Sequence, residues 1–518
     1  MEIIGNQNQG GAGWSIGWKR GAGRRYGARA ASAAIGAIAI ACAGCTYMRE
    51  QPEIDPEQFA PAVSERSWRP PSDARREYAV PVAPRQPGAR LSVTVSPANP
   101  PAAGRKSLAE LIDLSLANNP DTRRTWENAR AAAAAYGASR APYYPMASVE
   151  SDAGYQRILF QTANRTASIQ QWQVDPMIDL TYTLADFGRR SAEAEIARQE
   201  LAASNFAFNR TMQNVVFGVQ RSFYALAAAE AAVQAAEQTV ELAKTDLEAV
   251  ERRVALGLAT EPALLLARER KAQAEYELES AKTLVNDTRA ALAVAIGVPA
   301  NEPLEVENLQ NLDVPKTLGH EVDDLIETAV RERPDLSAEV ARLHQSQAVE
   351  ARARADWFPT IGVSANLSEQ NWWYNFNGAP INVSSQPQYA GLIGLRWDLF
   401  TGFRRLNDDR RAEALSASRR QSVRALELQT IADVWRAYYD FQTAVKRYEF
   451  AEALLAAAKE SYDDNLETYR QGLSTIVELL TADRDLANAR FTMIQARADV
   501  LTSSATVANA VGAITPGR

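Results

Sequence analysis

Gly472-Leu473-Ser474-Thr475 repeats Gly257-Leu258-Ala259-Thr260 at a spacing of 215 residues. Working outward, the same spacing relates Gly512 to Gly297, and Trp397, Leu399 and Arg404-Arg405 to Tyr182, Leu184 and Arg189-Arg190. Nearer the N-terminus, Leu325-Ile326, Arg333-Pro334-Asp335 and Pro359 answer Leu111-Ile112, Asn119-Pro120-Asp121 and Pro145, now at 214. One added residue between 160 and 182 reconciles the two spacings, and an insertion there points to a surface loop. Residues 107–300 and 321–513 are therefore two copies of one unit, joined by a linker over 301–320.

Each copy reads in the same order. A first helix covers 107–140 or 321–356, with Ser107 suited to its start and prolines ending the run. Two alternating segments follow. A proline-free helical stretch then covers 190–256 or 405–470, which at ~1.5 Å per residue extends roughly 100 Å. Gly257 or Gly472 interrupts it, and a second helix returns over 262–296 or 475–511. Such lengths do not suit a compact domain. Val215, Val219, Phe223, Leu226 and Val233 recur at threes, fours and sevens, with alanine common between them. Small residues let helices approach on two sides, which favours a curved wall of helices over a two-stranded coiled coil.

In the alternating segments, Val149, Ala153, Tyr155 and Leu159 share one parity, and Trp172, Val174, Ile178, Leu180, Tyr182 and Leu184 share another. Ile361, Val363, Ala365 and Leu367, then Tyr389, Ile393, Leu395, Trp397 and Leu399, repeat the pattern. Period two makes these half-buried strands. Their length, about 9–13 residues, suits a membrane-crossing strand, and an antiparallel sheet over a soluble core shares the signature. Two features favour lipid: full charges on the polar face, and polar or aromatic loops over 161–171 and 369–388. Trp372, Trp373 and Tyr374 are either an interfacial belt or loop anchors. Four strands are too few for a transmembrane barrel, whose usual minimum is about eight, and open edges are forbidden in lipid. Copies of the chain must pool strands, a trimer being the simplest closure and a dimer the competitor. The fold class is α+β: a β-barrel with four strands per chain, together with a curved wall of long helices.

Composition narrows the chemistry. The 518 residues carry a formal charge of −7, which argues against nucleic acid as a partner. There are two cysteines, Cys42 and Cys45, and two histidines, His320 and His344, so thiol, zinc and Ser-His chemistry are poor candidates. No metal or cofactor is expected, and Gly-rich phosphate loops are absent. The acid pairs Asp408-Asp409 and Asp463-Asp464 are sequence neighbours on helices and point apart. An enzyme is not expected. Lys19, Arg20, Arg24, Arg25 and Arg29 precede a short apolar run, the order of a secretory signal over 1–44. Cys42-Ala43-Gly44-Cys45 resembles a bacterial lipoprotein cleavage box, with Cys45 the lipidated residue and Cys42 where that box has leucine. Cleavage by the ordinary signal peptidase is the other reading. Residues 45–106 read as a Pro-rich tether, and 514–518 as a tail.

The chain from about 107 to 513 resembles the TolC-like outer-membrane efflux proteins, including their lipoprotein, NodT-like branch. The resemblance rests on Asn119-Pro120-Asp121 and Arg333-Pro334-Asp335, on the strand ends Leu184–Arg189 and Leu399–Arg404, and on the run Gly472–Leu480. It implies a homotrimer in the outer membrane whose helical tunnel crosses the periplasm. The hairpin tips, at Gly257, Leu258, Thr260, Gly472, Leu473 and Thr475, would meet a periplasmic adaptor protein. An inner-membrane pump, proton-driven in this reading, would supply energy to a passive exit duct for drugs or other toxic small molecules. The family gate maps onto Glu478, Thr481, Tyr469 and Ser474, and here Thr481 replaces an acid, Ser474 an arginine, and Ala263 the acid that partners the tyrosine. The closed state would then rely on Arg470 or on apolar contacts. Protein secretion, and a periplasmic coiled-coil structural role, are the alternative functions.

Overall fold

The computed structural model describes residues 61, 63, 65–69, 105–162, 165–300, 304–376 and 379–514. The expected signal over 1–44, Cys45, most of the tether and 515–518 lie outside the described residues.

Each repeat opens with two short helices rather than one. In the first, α1 (Leu108–Asn118) and α2 (Pro120–Ser139) are separated at Asn119; in the second, α5 (Val322–Glu332) and α6 (Pro334–Ala355) are separated at Arg333. Both separating residues are extended, with φ −65° and ψ near 124°. The cause is the proline that follows, whose ring disfavours the helical region for the residue before it. The expected single helices over 107–140 and 321–356 are corrected on that ground. A capping box closes the start of α1, where Glu110 N–H donates to Ser107 Oγ and Ser107 N–H donates to Glu110 Oε2.

The break has a use. Asn119 caps α2 through Asp121 N–H, at 2.8 Å, and its amide donates to the Ala295 carbonyl, at 2.9 Å. Ala295 lies at the end of α4 (Glu261–Ile296). Arg333 makes the matching contact in the second repeat, donating to the carbonyl of Ala510 near the end of α8 (Ile476–Val511). Gly297 and Gly512 end these two helices in left-handed conformations, at φ +84° and +78°. The widely spaced repeat markers are thus spatial neighbours: each corner docks onto its own helix end.

Two antiparallel strands follow in each repeat: β1 (Met146–Thr162) and β2 (Arg165–Ala185), then β3 (Thr360–Phe376) and β4 (Ala379–Arg396). They form one sheet in the order β1-β2-β3-β4, every pair antiparallel. The strands are 17 to 21 residues long, longer than the alternation alone implies. Most of the segments 161–171 and 369–388 continue the ladder instead of forming loops. Polar cross-strand pairs stand among the apolar ones there: Gln171 with Gln156, Gln388 with Gln370, and Ser385 with Glu369, beside Ile158 opposite Ile169.

Strand turns to helix at Asp186-Phe187-Gly188. Phe187 adopts φ +51°, unusual for a bulky residue. Its ring stacks on Phe358 of the second repeat at 5.5 Å, and Arg190 reaches back to the Thr183 carbonyl and the Asp186 carboxylate. From here α3 (Arg189–Ala255) runs 67 residues, and α7 (Arg404–Gln471) runs 68 in the second repeat. Each pairs with its returning helix, α3 with α4 and α7 with α8. Much of the buried surface of α3 is alanine, which fits close helix approach from more than one side. The linker is a packed strap: Leu304, Val306 and Leu309 join the core of Phe223, Leu226 and Leu292. Arg497 of α8 donates to the carbonyls of Leu309, Gln310 and Leu312. No helix among the described residues is long and apolar enough to cross a membrane.

A Cβ at Gly297 would lie 2.9 Å from the Asn118 carbonyl oxygen, whereas one at Gly257 would meet open space. Gly257→Ala is expected to cost about 1 kcal/mol for its left-handed backbone. Gly297→Ala should cost at least about 2 kcal/mol, because the clash adds to the same backbone term. Guanidinium unfolding followed by helical circular dichroism measures both, and equal losses would contradict the docking of the corner.

Candidate functional site

The sheet sorts its side chains onto two faces. Directly opposed residues of antiparallel strands share a face. Val149, Ile178, Leu367 and Tyr389 form one continuous row across all four strands, and Leu180, Ala365 and Gly391 form another. Tyr155 and Trp172 are opposed, with ring centroids 5.1 Å apart, and Trp172 is opposed to Trp373. This face is open in the single chain: Val149 is 75% exposed and Tyr389 85%. The other face carries Ser148, Asp179 and Asn366 in one row, and Glu150, Met177 and Ser368 in the next. An apolar band with aromatic residues towards one end, backed by a charged face, is the pattern of a strand between lipid and water. The outer edges of β1 and β4 have no strand partner among the described residues.

At the far end of the helices, the two hairpin tips are held together. Gly257 and Gly472 take φ +72° and +79°, which lets each chain reverse. Beside them Leu258 and Leu473 are exposed, at 65% and 76%. Thr475 caps α8 in a capping box with Glu478: the Glu478 carboxylate accepts from Thr475 N–H at 2.7 Å and from its hydroxyl at 3.1 Å. Those hydrogen bonds hold the Glu478 carboxyl below the usual range. Thr260 takes the equivalent cap position of α4 without a side-chain bond. Ser474 folds its own tip, reaching Thr468 Oγ1 at 3.2 Å and the Asn465 carbonyl at 3.4 Å. Thr481 is exposed and donates to the Val477 carbonyl. Glu478 and Thr481 therefore share one exposed flank, three residues apart.

Tyr469 is buried, 3% exposed, in a core with Ala263, Leu264, Leu479 and Leu486 drawn from both hairpins. Arg253 of α3 lies over its ring, 4.7 Å from the centroid, and donates to the Tyr469 carbonyl at 2.5 Å. One side chain thus clasps the second tip by its aromatic face and by its backbone. Arg470, one expected fastener, is exposed, and the reach across comes from the opposite hairpin. The apolar alternative is also present, in the shared tip core. Sequence reading missed Arg253. Its signal was positional: Arg253 and Tyr469 stand 216 apart, one more than the repeat spacing. Nearly equivalent positions of the two repeats meet at this seam.

Comparison with protein families matches residues 111–298 and 325–513 to the family described as outer membrane efflux protein. The chain belongs to that family. Among curated relatives, Protein CyaE of Bordetella pertussis is 28% identical over 404 residues, covering 76% of this chain and 82% of its own length. The toluene efflux pump outer membrane protein TtgC of Pseudomonas putida is 24% identical over 419 residues, covering 78% and 83%. Among solved structures, the outer-membrane channel OprN superposes with a TM-score of 0.70 at 20% identity, covering 78% of this chain and 89% of that one. The fold is that of the TolC-like outer-membrane channels. The two matched stretches are the two repeats, each with its helix pair, hairpin strands and helical hairpin.

Arg253→Ala is expected to loosen the tips by roughly 2 kcal/mol, from the lost cation–π contact and charged hydrogen bond. Backbone hydrogen exchange at 250–260 and 466–476 should quicken by about tenfold or more. Arg253→Lys should fall between, keeping the charge and losing the flat stack. Unchanged exchange in the alanine variant would remove Arg253 from the tips.

Proposed function

We propose that this chain is the outer-membrane exit duct of a tripartite efflux system, carrying toxic small molecules passively from periplasm to exterior. The observation that carries this reading is the four-stranded sheet with one open apolar face, one charged face and, among the described residues, two unpaired edges. Lipid does not tolerate open backbone groups. Three copies of four strands make a closed twelve-stranded barrel whose charged face lines water. The named role of a relative, toluene efflux by TtgC, supports small solutes as the cargo. Transport in this reading involves no bond chemistry, so the duct draws its energy from an inner-membrane pump, proton-driven, through a periplasmic adaptor.

The adaptor docks on the tips, where Leu258 and Leu473 stand exposed beside Gly257, Gly472 and the caps Thr260 and Thr475. Glu478 and Thr481 line the periplasmic mouth, with Tyr469 and Ser474 behind them. Threefold symmetry brings three Glu478 carboxylates to one axis, a constriction that attracts cations. Its capping bonds favour the ionised form of the carboxyl, which supports this role. Acylation at Cys45 holds the N-terminal tether to the outer membrane.

Cells lacking this protein should accumulate a fluorescent hydrophobic dye, and the intact chain should restore its exit. Equal accumulation with and without the protein would count against efflux. In planar bilayers, Glu478→Ala should weaken block by divalent cations, and an undiminished block would take Glu478 out of the mouth.

A further inference from the structure

One heptad above the Arg253–Tyr469 clasp, the same two helices meet again. Asp246 of α3 faces Tyr462 of α7, whose hydroxyl donates to Asp246 Oδ1 at 3.3 Å. The other oxygen, Oδ2, is buried with no hydrogen-bond partner. Asp246 is 0% exposed and Tyr462 3%. The remaining two helices bring an ion pair to the same level. Arg270 of α4 donates from Nε to Asp483 Oδ2 of α8 at 2.6 Å, with both side chains almost fully buried. Asp483 Oδ1 and Arg270 Nη2 are also without hydrogen-bond partners. Four helices, two from each repeat, thus meet around a buried polar cluster above the tips. Its outer members are Glu277, 3.8 Å from Arg270, and Arg490, which acts on Asp483. Arg470 and Tyr469 act on, or feel, Asp246 from α7.

Charge counting singles out Asp246. Arg270 is hydrogen-bonded to Asp483, so an ionised Asp246 has a tyrosine hydroxyl for its direct partner, with Arg470 and Arg270 acting on it only from a distance. A buried carboxylate in that position is costly when charged and tolerable when protonated.

We propose that Asp246 is a proton-operated fastener: protonated, it lets the two helical hairpins pack and keep the periplasmic mouth closed; ionised, it loosens them. The proposal rests on the channel reading above and adds its regulation. Burial, reinforced by the negative charge of Asp483, pushes the Asp246 carboxyl from 3.8 up to about 7. In a loosened junction that admits water, the group returns towards its ordinary value. The packed state therefore binds the extra proton. Its advantage is full below about pH 4 and is lost progressively as pH rises to about 7. Within that window the packed-to-loosened ratio falls by up to about tenfold per pH unit. The duct is tight in acid and slack at neutral pH and above.

The test is single-channel recording of the intact protein in planar bilayers between about pH 5 and about pH 8. Wild type should show open probability rising by roughly tenfold or more across the range. Asp246→Asn, a neutral isostere that still accepts from Tyr462, should hold the acid value throughout. A wild type that conducts without pH dependence, or an asparagine variant that keeps the wild-type profile, overturns the proposal. Absence of conductance at every pH would instead indict the channel reading. Hydrogen exchange at 240–255 and 458–472, corrected for intrinsic rates, decides the fastener in that case. Protection should fall with pH in wild type and stay constant in Asp246→Asn, and matching profiles would overturn it.

Discussion

A β-sheet in lipid cannot leave a backbone edge open, because each unpaired N–H or C=O there costs several kcal/mol. Among the described residues the sheet has four strands and two such edges, on β1 and β4, with its apolar face open across all four strands. That constraint governs the architecture. It calls for further strands from other copies, and symmetric copies place every long helix in a ring below the sheet. The helical wall is then obliged to be continuous, which fits the alanine-rich packing of α3. Strand and helix are coupled rigidly at the Asp186-Phe187-Gly188 corner, where Arg190 ties the helix start back to the strand end.

At the opposite end the constraint relaxes. There the two hairpins are held to each other by side chains that cross between them. Arg253 on Tyr469, Asp246 on Tyr462 and Arg270 on Asp483 are such crossings, set into an apolar core of Val250, Leu264, Leu479 and Leu486. Polar contacts in a buried seam are strong only while fully partnered. Several atoms here lack partners, including Asp246 Oδ2 and Tyr469 Oη. A seam of that kind favours a region that must part over one that must hold.

Much of this was legible in residues. The spacings of 214 and 215 fixed two repeats, and the proline-free runs ending at Gly257 and Gly472 located the helical hairpins within a residue or two. The alternating parity foretold both sheet faces, because period two survives any pairing that keeps register. Reading failed where meaning is carried by distance in space. Asn119-Pro120 and Arg333-Pro334 stood out as repeat markers, and their role as corners docked on Gly297 and Gly512 shows only when the helix ends arrive beside them. The strand extensions over 161–171 and 369–388 escaped notice because their apolar residues are scattered among Gln, Asn, Ser and Thr without a clean period of two. Thr475 and Glu478 spell a capping box in plain sequence, a local signal that was present and passed over. Arg253, Asp246 and Asp483 look like ordinary helix charges, and partners 213 to 216 residues away decide their burial.

The central claim is that an incomplete sheet forces assembly. Native mass spectrometry of the protein extracted from membranes in mild detergent measures that most directly. The account predicts a particle of three chains, with twelve strands closing one barrel. A folded single chain, stable with both edges open, would contradict it, and a two-chain particle would contradict the threefold duct.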